Sequence, residues 1–287
     1  MKEVLDVVAR DGIHLSATWF MAESPHEKVV LINSATGVRQ QYYSDFAKWL
    51  SREGFHVYTF DYRGIGNSRP EKLEDALYDM HDWSVDVDAM IGYITHVHPG
   101  AQLIIIGHSV GGQLIGMSNL STFIMIGSQT PYWKNYKGLG IKLKLLMFWY
   151  LAIPIATKVF GYFPASRLKL FEDLPAEVAR QWARWAKNKN YIFDELPSEK
   201  KSFDTLQQPT LMISFSDDAL APYDAVLDLK RFYRSLKTEH WYLTPEDVLK
   251  KKVGHFGFFR KDMEAIIWRE TVRWIDKDFS SEKRRAA

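Results

Sequence analysis

The chain has 287 residues, a length that accommodates one large domain or a core domain carrying an inserted one. Hydrophobic residues make up 46% of the sequence and the formal net charge is +2, which argues against a polyanionic partner such as nucleic acid. The chain has no cysteine, which excludes disulfides, thiolate metal ligands and a cysteine nucleophile, and this fits a reducing compartment.

No targeting or anchoring pattern is visible in the sequence. Residues 1–12, MKEVLDVVARDG, lack the apolar core of a signal peptide. The longest apolar run, residues 145–153, is too short to cross a bilayer and ends at Pro154. We therefore expect a cytoplasmic protein with no stable membrane insertion, and the oligomeric state stays open.

The first half of the chain alternates predicted strands and helices. Residues 3–20 alternate apolar and polar side chains on both sides of Asp11-Gly12, a pattern typical of a β-hairpin. Gly54 ends the first predicted helix, and Pro99-Gly100 close the second. After the hairpin, we predict strands at residues 28–33, 55–61, 103–107 and 123–127, and helices at 42–54, at 82–100 and from residue 111 onward.

The same alternation returns near the end of the chain. Strands and helices joined by short connections form a mostly parallel sheet that helices cover on both faces, so we expect an α/β fold. The predicted core comprises residues 1–130 and 209–287, and residues 131–208 form an insertion of helices and loops with no clear strand. The late elements are strands at 210–215 and 239–244 and helices at 222–236 and 261–279.

The stretch LIIIGHSVGGQLIG, residues 103–116, places a serine among glycines where an apolar strand meets a helix. A strand that runs directly into a helix needs a sharp, strained turn, in which bulky neighbours would clash. Gly107, Gly111 and Gly112 remove those clashes and leave Ser109 at the carboxyl edge of the sheet. The pattern predicts a nucleophile elbow, with the positive end of the helix dipole behind it.

A serine hydroxyl needs a base, and the base needs an acid that fixes its tautomer. In this type of fold the acid and then the histidine follow the serine along the chain. SDDALAP places Asp217 and Asp218 just after a strand, and GHFGFF places His255 in a glycine-flanked loop. We predict that Asp218 orients His255, because Pro222 opens the next helix shortly after it, and that Asp217 caps or braces the loop.

An acyl-transfer site also needs two N–H donors where negative charge develops. The amide of Val110, directly after the serine, is the first predicted donor. The second belongs to the loop NSATGV, where the Ala35 amide is favoured and the Thr36 amide is the alternative.

The insertion is expected to act as a lid over Ser109. It is rich in Trp, Tyr and Phe, and Val178, Gln181, Trp182 and Trp185 lie close to one helical face. Such aromatic residues pack a lid onto a core, and several could also line an apolar acyl pocket. The predicted pocket residues are Thr36, His108, Trp133 and Trp182, although His108 is equally open to a role that braces the elbow.

Taken together, these segments resemble the α/β-hydrolase superfamily. GHSVGG, SDDALAP and VGHFGFF match its nucleophile, acid and histidine segments in order, and FDYRGIGNSRP resembles its aspartate–arginine–glycine loop. SATGVRQQYY and EDLPAEVARQWARW further resemble a bacterial branch of predicted hydrolases of the serine aminopeptidase-like group. The resemblance implies Ser109, Asp218 and His255 as a triad, whereas Asn33-Ser34 stands where many members have His-Gly. Asp61 and Arg63 of the aspartate–arginine–glycine loop are interpreted as loop braces.

Three classes of function remain open at this point. The first is a serine hydrolase that cleaves a small or medium carboxylic ester, thioester or amide through an acyl-enzyme, with an uncharged, apolar acyl group. The second is an acyltransferase on the same triad, and the third is a ligand-binding protein without activity. No cofactor or metal is predicted, since His96 and His98 lack further ligands at metal-binding spacing.

Overall fold

An eight-stranded sheet organises the molecule in the computed structural model, which describes residues 1–25, 27–117 and 122–286. The strands of the described chain are β1 Lys2–Val8, β2 His14–Phe20, β3 Lys28–Asn33, β4 His56–Phe60, β5 Gln102–His108, β6 Thr122–Ile126, β7 Tyr162–Phe163, β8 Leu174–Pro175, β9 Pro209–Phe215 and β10 Lys237–Leu243.

The strand order of the large sheet is β1-β2-β4-β3-β5-β6-β9-β10. β1 and β2 form the antiparallel hairpin, β2 pairs with β4 in antiparallel fashion, and the other neighbours are parallel. The carboxyl ends of β3, β5, β6, β9 and β10 therefore meet at one edge of the sheet. The predicted α/β-hydrolase architecture, a mostly parallel sheet with helices on both faces, is confirmed.

Helices cover both faces of this sheet. Alternate residues of β3 divide between two hydrophobic clusters, with Leu31 on one face and Ile32 on the other, because successive side chains of a strand point to opposite sides. Within the described residues the helices are α1 Ser44–Arg52, α2 Met80–Val97, α3 Val110–Gln113, α4 Leu139–Met147, α5 Ile153–Phe160, α6 Ala176–Lys187, α7 Lys200–Thr205, α8 Tyr223–Lys230 and α9 Arg269–Ala286.

Residues 131–208 lie between β6 and β9 and hold α4 to α7. The sequence shows no clear strand there, but β7 and β8 form a two-stranded antiparallel pair of two residues each, too short to leave a periodic pattern. Val178 and Trp185 of α6 are fully buried in the same cluster as one face of the sheet, as expected for a helix that packs the insertion onto the core.

The predicted helix at 222–236 ends earlier than expected, at Lys230. The next aromatic residues leave the helix to pack against the insertion: the Phe232 ring lies 4.9 Å from that of Phe193, and Tyr233 stacks on Phe203 at 4.7 Å. Tertiary packing here overrides a local helical pattern.

One helix of the insertion is longer than the apolar run suggests. α4, a π-helical turn at Phe148–Ala152 and α5 form one helix, Leu139–Phe160, which has 22 residues. Judged only by length and composition, it is the one helix in the described chain that could cross a membrane. Lys142 and Lys144 interrupt the apolar run in the sequence but do not interrupt the helix.

Candidate active site

Ser109 sits in a strained turn between β5 and α3. Its φ of 52° lies in the left-handed region, which non-glycine residues seldom adopt, and its side chain is largely buried. The neighbouring glycines are required by space: a Cβ on Gly107 would overlap the Gly112 backbone, one on Gly111 would overlap the Asn33 carbonyl, and one on Gly112 would overlap Ser128. The predicted elbow is present, and its conformation is imposed by close packing.

Asp218 and His255 are in direct contact at the same sheet edge. Asp218 follows β9, and its Oδ2 lies 2.8 Å from His255 Nδ1. Its other oxygen, Oδ1, accepts the backbone N–H groups of Leu220 and Ala221 at 2.8 and 2.9 Å. With both oxygens engaged, the carboxylate holds a fixed orientation, and both side chains are almost fully buried.

Asp217 turns the other way and holds the histidine loop. Its carboxylate oxygens accept the backbone N–H groups of Val253 and Gly254 at 2.8 and 3.0 Å. The two adjacent side chains therefore have different roles. Asp218 contacts the His255 imidazole, and Asp217 contacts the backbone that directly precedes His255.

No hydrogen bond joins Ser109 directly to His255 among the described residues, but both residues lie beside the end of β6. The Ser109 amide donates to the Ile126 carbonyl at 2.9 Å. The next residue, Gly127, has a φ of 57°, and a Cβ there would stand 3.3 Å from the His255 ring. Gly127 therefore lets the imidazole come close to the end of β6, beside the elbow.

His108 is a structural residue, and its assignment to the substrate pocket is wrong. It is fully buried, and its Nε2 donates to the His255 carbonyl at 2.9 Å. Since that carbonyl can only accept, Nδ1 is the unprotonated nitrogen and accepts the Tyr43 hydroxyl at 2.9 Å. Burial, reinforced by the nearby His255, holds the pKa of His108 well below its ordinary value. A neutral His108 braces the elbow against the histidine loop.

The Ala35 amide is not available as an oxyanion donor. It donates to the Tyr43 hydroxyl at 2.9 Å, so its N–H points into the protein and the preference for Ala35 over Thr36 does not hold. In the described part of the chain, the amides of Thr36 and Val110 donate to no protein atom. Val110 is the first residue of α3, where N–H groups have no partner within the helix. These two amides are candidates for the two predicted donors, one in each loop.

The insertion touches the loop that carries Thr36. A Cβ on Gly37 would lie 2.6 Å from the ring of Phe171, and the Glu172 amide donates to the Gly37 carbonyl at 2.9 Å. Arg39 and Glu172 add an ion pair at 2.8 Å. The sequence analysis did not single out Phe171. This residue directly precedes Glu172 and Asp173, which begin the segment EDLPAEVARQWARW.

The two tryptophans predicted to line the pocket have different surroundings. Trp182 packs inside the insertion, with ring centroids 4.8 Å from Trp149 and 6.0 Å from Phe171. Trp133 is only partly buried and lies beneath the Lys134 ammonium group at 5.4 Å. Trp182 therefore packs against Phe171 within the insertion. The contact of Trp133 with Lys134 does not connect Trp133 to Ser109.

The loop of residues 61–69 is braced by buried charges. Asp61 accepts the amides of Gln40 and Asn67 at 2.8 and 3.0 Å. Arg63 donates to Asp86 and to Asp11, each at 2.6 Å. Burial raises the pKa of Asp86 to about 7, and the Arg63 charge opposes that rise. Both Asp61 and Arg63 hold elements together, as interpreted from the sequence.

Comparisons with known proteins agree with this geometry. A family model described as serine aminopeptidase, S33, matches residues 24–117, which run from the approach to β3 to just past the elbow. The Pyrococcus furiosus esterase Pf2001 superposes with a TM-score of 0.60 at 15% identity, over 96% of this chain and 91% of that structure. This likeness shows that the chain has the α/β-hydrolase fold.

Similarity to curated sequences is more distant. The uncharacterized protein YfhR of Salmonella typhimurium is 28% identical over 119 residues, a match that spans only 38% of this chain and 38% of that relative. Phospholipase ABHD3 of Mus musculus is 22% identical over 94% of this chain and 68% of its own length. These similarities assign no substrate to the chain.

The tight packing of the elbow predicts the effect of a single methyl group. Gly111→Ala should lower the free energy of unfolding by about 1–3 kcal/mol, because the Asn33 carbonyl is backbone and cannot move aside cheaply. Gly92→Ala is the matched control, since its Cβ would meet no atom within 4 Å and α2 gains helix propensity. Urea unfolding of both variants measures this, and equal stabilities would show that the elbow is not tightly packed.

The burial of His108 predicts a pH dependence of stability. The unfolded histidine binds a proton below its ordinary pKa of 6.5, while the buried one stays neutral, so the His108 contribution is complete above pH 6.5. It is lost as the pH falls below that value, by up to about 1.4 kcal/mol per pH unit. When urea unfolding is measured at several pH values, the free energy of unfolding should fall less steeply with decreasing pH for His108→Gln than for the wild type.

Nitrogen-15 NMR of the wild-type His108 ring provides an independent check of that pH dependence. A ring that stays neutral through pH 6 agrees with the buried hydrogen-bond pattern. A ring that titrates near pH 6.5 would contradict it.

Proposed function

We propose that this α/β-hydrolase is a serine hydrolase that cleaves carboxylic esters through an acyl-enzyme. The observation that carries the proposal is the Asp218–His255 hydrogen bond of 2.8 Å at the sheet edge where the Ser109 elbow lies. A carboxylate on Nδ1 keeps that nitrogen protonated and leaves Nε2 as the base. The nucleophile comes from the turn after β5, the acid from the loop after β9 and the base from the loop after β10. This is the order along the chain that such a site requires.

The proposed reaction uses these groups in two steps. Ser109 Oγ attacks the ester carbonyl carbon while His255 Nε2 takes the hydroxyl proton, and the carbonyl oxygen gains negative charge that Val110 and Thr36 N–H groups stabilise. The C–O bond to the alcohol then breaks, and His255 returns the proton to the leaving alkoxide. In the second step, His255 deprotonates a water that attacks the acyl-enzyme, and the acid is released with Ser109 restored.

The apolar contacts of the insertion support an uncharged acyl group. Phe171 lies against Gly37, directly after the free Thr36 amide, and Trp182 packs behind it. An acyl chain bound beside this amide would meet the aromatic ring of Phe171, and each buried methylene adds about 0.8 kcal/mol of binding. Two of the similar proteins are named as an esterase and a phospholipase, whereas the matching family model is described as a serine aminopeptidase, so the preference for esters rests on the apolar contacts. In this proposal the insertion acts as a lid.

Covalent labelling tests the nucleophile directly. A fluorophosphonate probe should modify Ser109 alone, and Ser109→Ala should abolish both labelling and hydrolysis of nitrophenyl esters, because losing a triad nucleophile costs on the order of a million-fold in kcat. Ser128→Ala is the matched control, since it removes another buried hydroxyl next to Gly112. Labelling at another residue, or none on the folded protein, would contradict the proposal.

The substrates themselves separate the alternatives. Faster cleavage of aminoacyl amides than of every ester would favour a peptidase. Transfer of the acyl group to added alcohols, in preference to water, would favour an acyltransferase.

The two adjacent aspartates form a natural matched pair. Asp218→Asn should reduce kcat by about ten-thousand-fold, because an amide nitrogen facing Nδ1 favours the wrong imidazole tautomer. Asp217→Asn keeps one acceptor for the histidine loop and should reduce kcat far less while lowering stability. Steady-state kinetics together with thermal unfolding distinguishes the two effects, and the opposite ranking of kcat would show that Asp217 is the orienting acid.

A further inference from the structure

The helix Leu139–Phe160 exposes a row of large apolar side chains. Soluble proteins rarely leave such side chains exposed in a contiguous patch unless the patch binds something. Between 49% and 83% of each of these side chains is exposed: Leu139, Leu143, Met147, Tyr150, Leu151, Ile155 at 59%, and Val159 at 67%. We call this surface the open face of the helix.

The opposite face of the same helix is already occupied. Trp149, Ile153 and Thr157 recur at four-residue intervals and are at most 3% exposed. Their neighbours Leu151 and Ile155 lie two positions away, which is about 200° around a helix, so they face outward. Trp149 packs on Trp182, and Thr157 accepts the Arg180 guanidinium at 3.0 Å. The helix is thus anchored along one side and open along the other.

The charged residues of the segment that carries the open face all have one sign. Residues 131–171 contain seven Lys and Arg and no Asp or Glu, whereas the rest of the chain holds 30 basic and 35 acidic residues. Lys142, Lys144 and Lys158 lie on the helix itself and form no ion pair with any described residue. A cationic rim around an apolar helix face complements a surface that is apolar inside and anionic at its boundary.

We propose that the open face docks on an anionic lipid bilayer, with the helix lying in the plane of the interface. Its apolar side chains would enter the boundary between headgroups and acyl chains, and its lysines would contact lipid phosphates. A transmembrane orientation would require Trp149, Ile153 and Thr157 to leave their partners. Pairing of the open faces of two copies would bring two sets of cations together without a counter-charge.

Vesicle flotation tests this docking without reference to catalysis, so it can also be carried out with Ser109→Ala. The protein should float with vesicles of equal parts phosphatidylglycerol and phosphatidylcholine, bind pure phosphatidylcholine far more weakly, and be released by high salt. Val159→Asn should weaken binding about tenfold, because it removes one buried apolar side chain. Val4→Asn is the matched control: Val4 is 72% exposed on the edge strand β1, outside the insertion, and its replacement should leave binding unchanged.

A charge variant tests the second part of the proposal. Lys142→Gln combined with Lys144→Gln should weaken binding to the anionic vesicles more than tenfold, since each cation near such a surface contributes about a fivefold factor. Binding to phosphatidylcholine alone should stay unchanged.

Three results would overturn the proposal. The first is no flotation with anionic vesicles, and the second is equal losses for Val159→Asn and Val4→Asn. The third is bound protein that resists both high salt and alkaline carbonate, which would indicate a membrane-spanning helix. A concentration-dependent dimer that Val159→Asn abolishes, without vesicle binding, would identify a second copy as the occupant.

Discussion

The two hydrogen bonds of the His108 ring join three of the four loops of the candidate site. One nitrogen donates to the carbonyl of His255, and the other accepts the hydroxyl of Tyr43, which in turn accepts the Ala35 amide. The elbow, the histidine loop and the loop after β3 are thereby tied through one buried, neutral imidazole. With the Ala35 amide engaged in this way, the next amide, that of Thr36, is the one that we propose as the partner of the Val110 N–H. Positioning of the reacting groups depends on this chain of bonds.

The insertion combines two different surfaces. Its inner side packs aromatic rings against one another and reaches the loop after β3 through Phe171 and Glu172. Its outer side is apolar and cationic, and the side chains of the open face are between 49% and 83% exposed, with the Lys187 ammonium group 4.9 Å from the centre of the Tyr150 ring. The proposed membrane docking would therefore act on the same segment that contacts the candidate oxyanion loop. The helix Leu139–Phe160 and Phe171 thus belong to the same insertion between β6 and β9.

Much of the fold could be predicted from local patterns, because apolar strands, glycine stops and an elbow leave signals within a few residues. The division of labour between Asp217 and Asp218 followed from the register of the loop, and the structure places the two side chains accordingly. The preference for Ala35 failed because the decisive partner, Tyr43, lies eight residues away and its hydroxyl position depends on how a helical turn packs. Tertiary contacts likewise determine the short strands β7 and β8 and the early end of α8. A short segment of the sequence does not contain these contacts.

A crystal structure of the protein after reaction with a fluorophosphonate tests the central claim most directly, because the phosphoryl oxygen marks where negative charge would develop on a substrate. The account predicts phosphorus bonded to Ser109 Oγ, with that oxygen about 2.7–3.1 Å from the amide nitrogens of Val110 and Thr36. His255 Nε2 should lie within hydrogen-bond reach of Ser109 Oγ, while Ala35 N–H still donates to Tyr43. An adduct on another residue, or a phosphoryl oxygen that contacts neither amide, would contradict it.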